Sequence, residues 1–217
     1  MNSTVNTALL MLCVVMLAGC PNERTTGQNE NREPKTQDKA TEPVVEKPKI
    51  DESAKEEHRI ERPVYILPLG DSITHGGRKN RQEWTYRYPL FCMLKTDGVE
   101  FDFIGSMDTG LHRNVEWPDC NGEPFDPDHE GHYGIKTAKV AANLDRWMKQ
   151  WSHAPDIALI HLGTNDQNAE SPDEYDETIV KPHREIIGML REKNPQVVVL
   201  VGHLNFGAGA AVKIRPR

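Results

Sequence analysis

The chain has 217 residues and a formal net charge of −7, with 26 Lys and Arg against 33 Asp and Glu. That length holds one ordinary domain and its extensions. The acidic balance supplies no basic face of the kind that nucleic acid requires, so no nucleic-acid partner is expected.

The first 19 residues carry no charged side chain. Ala8 to Ala18 form an apolar run of signal-peptide length, short of the roughly 20 residues of a transmembrane helix. The run closes in Leu17-Ala18-Gly19-Cys20, which resembles the lipobox of bacterial lipoproteins, although Met1 to Thr7 offer only the amino group as positive charge. The resemblance implies cleavage before Cys20, a lipid on that cysteine, and an exported lipoprotein tethered to a membrane of a bacterial cell envelope. A plain secretory signal, leaving a secreted protein, is the alternative. Residues 20–62 have no aromatic side chain and 9 Lys and Arg against 11 Asp and Glu. Such a segment buries too little apolar surface to offset its conformational entropy, which predicts a disordered, charged, Pro-rich tether.

The folded domain is expected over 63–217. Val64 to Leu69 reads as a buried strand leading into the turn Gly70-Asp71-Ser72. A helix is predicted from Glu83 to Lys95, disturbed by Pro89, and Phe101 to Gly105 is a short second strand. Ser106 to Gly134, rich in Gly, Pro, Asp and Asn, reads as a long irregular stretch, a length that is usually functional or disordered. Ala141, Leu144, Met148 and Trp151 mark the expected apolar face of a helix over Lys136–Trp151. Asp156 to Leu162 is strand three and is followed by Gly163-Thr164-Asn165-Asp166. A helical stretch from Asp173 to Lys193 holds Pro182, which predicts two pieces or a kink, and Val197 to Val201 is strand four. Strands separated by helices imply parallel crossovers and a sheet covered on both faces, an α/β fold. Cys92 and Cys120 leave both a disulfide and two separate thiols open.

Three blocks stand out: Gly70-Asp71-Ser72-Ile73-Thr74, His129-Glu130-Gly131-His132-Tyr133-Gly134-Ile135-Lys136-Thr137, and Gly163-Thr164-Asn165-Asp166. In this order, with the first and third directly after strands, they resemble the GDSL-type, or SGNH, esterase and lipase superfamily. The second block is similar to that of bacterial secreted carbohydrate esterases of the acetylxylan type. The resemblance implies a three-layer α/β/α sandwich with a parallel, flavodoxin-like sheet. It further implies a serine esterase without cofactor or metal, acting on an acylated, chiefly acetylated, carbohydrate or small ester. Ser72 would be the nucleophile. The oxyanion donors would be the backbone N–H groups of Ser72 and Gly134 and the side-chain amide of Asn165, with Asp71 and Asp166 fixing the loops.

One departure is plain. Members of the superfamily take their base from an Asp-x-x-His block after a fifth strand, and no Asp-x-x-His follows Asp166 here. The expectation is a C-terminally incomplete domain lacking the last strand and helix, or a substitute base, for which His203 just past strand four is best placed. His75, three residues after Ser72, is expected to point elsewhere along the turn. A catalytically inactive glycan-binding scaffold or gene fragment is the first alternative to an esterase, and a lysophospholipase or thioesterase the second. Asp126, Asp128, His129, Glu130 and His132 invite a metal reading, but their spacing matches no specific ligand template. Trp84, Tyr86, Trp117 and Tyr133 are candidates for sugar stacking, at least two of which are expected in the core.

Overall fold

The computed structural model describes residues 62–81, 83–112, 115–166 and 171–204. The leader read at 1–19, with Cys20, the tether up to residue 61, and everything after Leu204 lie outside them. Arg62 already belongs to the fold, because its guanidinium pairs with both oxygens of Asp156 at 2.7 and 2.9 Å.

Strands β1 (Val64–Gly70), β2 (Phe101–Phe103), β3 (Glu130–Gly131), β4 (Ile157–His161) and β5 (Val198–Val201) form one open, wholly parallel sheet. The order is β2-β1-β4-β5, with β3 pairing the far end of β1 through Leu69↔Glu130 and Gly70↔Gly131. Apart from the two-residue β3, this is the flavodoxin-like order. Alternate strand residues feed two cores. Val64, Ile66, Ile157 and Leu159 face a cluster with Leu90, Phe91 and Leu94 of helix α2 (Arg87–Thr96), joined by Phe101, Phe103 and Phe125. Leu67, Leu69, Ala158 and Ile160 face Val140, Leu144 and Trp147 of α3 (Thr137–Met148) and Ile186 and Leu190 of α5 (Lys181–Lys193). The period of two along each strand thus produces the three layers.

Several boundaries differ from those expected, each for a local reason. Helix α2 begins at Arg87, because Glu83 is held in a turn by Gly77 N–H on its carbonyl and Lys79 N–H on its carboxylate. Pro89 is the third residue of α2, where a missing N–H forfeits no intrahelical bond. Helix α3 buries Thr137, Val140, Leu144 and Trp147; Ala141 and Met148 are only partly buried at its flank. Trp151 is buried but lies beyond the helix end. The two stripes share Leu144, and their centres differ by about 40° around the helix axis. The Asp173–Lys193 stretch does divide: α4 (Pro172–Tyr175) passes through a π-helical turn, Asp176–Val180, into α5. Lys181 N–H bonds Asp176 O, and Pro182 follows as the second residue of α5.

The long stretch after β2 is more ordered than its composition implied. It contains β3 and the bridges Met107↔His129 and Cys120↔Glu123. A disulfide, Cys92–Cys120, ties it to α2 with a Cα–Cα separation of 5.5 Å. Closing a loop across 28 residues stabilises a fold by about 3–4 kcal/mol in the chain-entropy account. Cys92→Ser should therefore lower the urea unfolding free energy by about that amount. A loss below about 1 kcal/mol would show that aromatic packing holds the loop without the bond.

Candidate active site

The first block forms a sharp strand-to-helix turn at the carboxyl end of β1. A side chain at Gly70 would collide with Thr74 Oγ1 and the His161 carbonyl, at 2.2 and 2.8 Å, so only glycine allows the turn to pack on β4. Asp71 is fully buried and caps α1 (Ser72–His75), its Oδ1 accepting from Ile73 N–H at 2.9 Å. Burial raises its pKa, opposed by the Ile73 hydrogen bond and by His161. Ser72 is the first residue of α1 and half-buried. Neither its hydroxyl nor its backbone N–H has a hydrogen-bond partner among the described residues.

The second block lies alongside. His129 is fully buried, its Nδ1 accepting from Gly131 N–H at 2.8 Å and its Nε2–H donating to Thr109 O at 2.9 Å. This arrangement requires the neutral ring, and burial holds its pKa well below the usual histidine value. Glu130, also fully buried, accepts four bonds. Ser106 Oγ–H and His132 Nε2–H reach Oε1 at 2.8 and 2.6 Å, while Ser106 N–H and Trp151 Nε1–H reach Oε2 at 3.0 and 2.6 Å. The His132 ring stacks on Trp147 at 3.9 Å, and His132 N–H bonds the Gly70 carbonyl. The turn that follows is thereby clamped to the end of β1. At its tip Gly134 is exposed with φ of +71°, a conformation that favours glycine, and its N–H has no acceptor among the described residues.

The third block joins the other two. Asn165 Nδ2 donates to Ile135 O at 2.9 Å and lies 3.4 Å from Asp71 Oδ2, so one amide spans all three blocks. Asp166 is buried and accepts from the backbone N–H and the hydroxyl of Thr137, the latter at 2.8 Å. Because α3 has no side-chain cap of its own at Lys136, Asp166 supplies it from across the fold. Asp71 and Asp166 are thus both loop-fixing groups in this structure.

A family model for the GDSL-like lipase/acylhydrolase family matches residues 69–216. The chain belongs to this GDSL-like family. Among solved structures it is similar to a carbohydrate esterase family 3 protein from Talaromyces cellulolyticus, at 31% identity and a TM-score of 0.50. That match covers 64% of this chain and 60% of the other. A family 3 carbohydrate esterase from Clostridium thermocellum is 26% identical, covering 64% of this chain and 61% of that one, with a TM-score of 0.46. The chain therefore spans about 60% of the length of these two carbohydrate esterase structures. No curated protein matches it.

In this GDSL-like chain the Ser72, Gly134 and Asn165 elements meet at one end of the sheet; His203 is not joined to them by a hydrogen bond. His203 is exposed, and its Nδ1 is bonded to Leu204 O at 2.8 Å. No histidine ring bonds Ser72 among the described residues. Of the side chains that invited a metal reading, Asp126, His129, Glu130 and His132 have hydrogen-bond partners: Asp126, for example, accepts from Phe103 N–H at 2.7 Å. Among the described residues no three His, Cys, Asp or Glu form a metal-holding group.

Of the four aromatic candidates, Tyr86 and Trp117 are partly buried and pack against the core. Trp117 packs on Phe125 at 4.4 Å, and the Tyr86 hydroxyl meets Thr74 Oγ1 at 3.2 Å, with burial pushing its pKa up to about 12. Trp84 and Tyr133 are 43% and 37% exposed, and the Arg78 guanidinium lies 5.5 Å from the Tyr133 ring centre.

Arg87 escaped the sequence reading, and His75 was read only as a turn residue. Arg87 is wholly buried and donates to Thr74 O at 2.9 Å, Pro127 O at 2.6 Å and His75 O at 3.4 Å, beneath the Ser72 turn. Its signal was visible, since positions 87, 90, 91 and 94 share the apolar face of α2. His75 is buried, and its Nδ1 accepts from Tyr133 N–H at 3.1 Å, away from the Ser72 hydroxyl. A lone histidine in a turn gave no signal for that contact.

Proposed function

We propose that this chain is a serine ester hydrolase that removes acetyl groups from a carbohydrate. One observation carries the reading. Two backbone N–H groups without an acceptor among the described residues, of Ser72 and Gly134, are set by neighbouring turns, and the Asn165 amide links those turns. Ser72 Oγ attacks the ester carbonyl carbon and gives its proton to a base, while the C=O electron pair moves onto oxygen. The resulting oxyanion is met by the two backbone donors and by an Asn165 N–H. Of the two Asn165 contacts, that to Asp71 at 3.4 Å is the weaker and the easier to exchange for the oxyanion. Each such donor is worth about 3–4 kcal/mol of barrier. Collapse breaks the bond to the sugar oxygen, which leaves with a proton, and water then hydrolyses the acetyl-Ser72 ester.

The carbohydrate assignment draws on the similarity to the Talaromyces protein and on Tyr133, an exposed ring next to Gly134. Aromatic faces accept sugar rings at modest free-energy gain. A fluorophosphonate should label Ser72, as located by peptide mapping. Tyr133→Ala should raise KM for acetylated xylo-oligosaccharides about fivefold to tenfold, yet leave KM for p-nitrophenyl acetate within about twofold. Label on another residue would overturn the nucleophile; equal KM changes for both esters would remove Tyr133 as a sugar platform.

Export as a lipoprotein through Cys20 belongs to the same proposal, supported by the Cys92–Cys120 disulfide, a bond that persists in oxidising compartments. A second reading, a glycan-holding scaffold without turnover, is favoured by the lack of a histidine bonded to Ser72 among the described residues. Binding of xylo-oligosaccharides with no hydrolysis of any acetyl ester would select it.

A further inference from the structure

We propose that His75 is a positioning residue that fixes the Tyr133–Gly134 turn against the Ser72 turn, so that one short helix sets both the nucleophile and the oxyanion donors. The proposal rests on the roles given above to Ser72 and Gly134. Helix α1 carries Ser72 at its start and His75 at its end. The His75 backbone is doubly anchored, its N–H bonding Asp71 O at 2.9 Å and its carbonyl accepting from Arg87 at 3.4 Å. From that anchored position Nδ1 accepts from Tyr133 N–H at 3.1 Å, one residue before the free Gly134 N–H.

The surroundings leave the ring little freedom. Its exposure is 6%, and the ring centre of His129 lies 5.3 Å away. Gly131 packs so close that a Cβ there would lie 2.6 Å from His75 N. Nε2 is buried without a hydrogen bond among the described residues. The Gly110 and Thr109 carbonyls also face the ring, but its one well-formed hydrogen bond among the described residues comes from Tyr133 N–H, in the oxyanion turn. Acceptance at Nδ1 requires the neutral ring with its proton on Nε2. Burial first, then the charges of His132 and Arg87, lower the His75 pKa below the usual value, opposed by the nearby carbonyls of Gly110 and Thr109. The acceptor is therefore present at neutral pH and lost on acidification, when Nδ1 takes a proton and becomes a donor facing a donor.

Two substitutions separate this role from simple packing. Asn places an acceptor oxygen near the Nδ1 position, whereas Gln carries its oxygen further out, toward Nε2. Amide hydrogen exchange at Tyr133 and Gly134 would be measured on the full chain for wild type, His75→Asn and His75→Gln. The kcat and KM for p-nitrophenyl acetate would be measured on the same preparations. His75→Gln is expected to lose about tenfold in protection at Tyr133 and a similar factor in kcat, with KM unchanged; His75→Asn should stay within about twofold of wild type in both. In wild type, Tyr133 protection corrected for intrinsic exchange should fall on acidification, at a pH below the usual histidine range, and should not in His75→Asn.

Unchanged Tyr133 protection in a folded His75→Gln would overturn the proposal. So would equal losses in both variants, or a loss of protection spread evenly over β1 and β4 instead of confined to the turn. If wild type shows no turnover, the esterase reading fails, while exchange still decides whether His75 holds the turn.

Discussion

Ser72→Ala should lower turnover of p-nitrophenyl acetate by at least about a thousandfold, because no other group can form the acyl-enzyme once the hydroxyl is gone. Stability should hardly change, within about 0.5 kcal/mol. The cap of α1 is supplied by Asp71, and the Ser72 hydroxyl makes no hydrogen bond among the described residues. This combination of a large kinetic loss with an intact fold separates a nucleophile from a structural serine, and turnover retained in Ser72→Ala would sink the mechanism. His203→Ala in the same assay decides the base. A loss approaching that of Ser72→Ala would place His203 in proton transfer despite its bond to Leu204 O, and wild-type turnover would remove it.

Arg87→Met should cost about 3 kcal/mol of stability, a fall of roughly 6–12 °C in Tm by circular dichroism for a domain of this size. Burial pushes the Arg87 pKa down to about 10, so the guanidinium is still charged at neutral pH. Among the described residues it has no carboxylate partner at ion-pair distance; its charge is met by the three carbonyls and by the faces of Trp117 and Phe125 at 5.1 and 5.7 Å. Methionine releases the desolvation cost of the cation but strands those carbonyls, and each buried acceptor left unpaired costs about 1–3 kcal/mol. Arg87→Lys should recover only part of the loss, since a single ammonium cannot reproduce the planar fork. A Tm within about 2 °C of wild type for Arg87→Met would mean that the two terms cancel. Because Thr74 and His75 end the helix that Ser72 begins, Arg87→Met should also loosen the nucleophile turn.

Much of the architecture was legible because its signals are local. Val64–Gly70 and Ile157–His161 are short apolar runs closed by glycine-containing turns, and both prove to be central strands. Pro182 announced the break that the π-helical turn makes before α5. Errors arose where periodicity permits two answers. The face of α3 was misassigned because Ala141 and Met148 carry the same apolar signal as Val140 and Trp147. Trp151 extended the apparent stripe although its indole N–H serves Glu130 beyond the helix. The two-residue β3 was invisible because it is too short to show a period, and it exists through pairing with β1.

Residue order alone was enough for the class and the family, since short motifs placed after strands are contiguous in sequence. Contacts between distant residues were decided only in three dimensions. His75 meets Tyr133 across 58 residues, Asn165 meets Asp71 across 94, and Asp166 caps α3 from 29 residues beyond Thr137. The Cys92–Cys120 bond likewise depends on α2 and the long loop coming within 5.5 Å. A sequence specifies which side chains can donate, accept or stack, but pairing a buried donor with an acceptor depends on where the packed sheet delivers each of them.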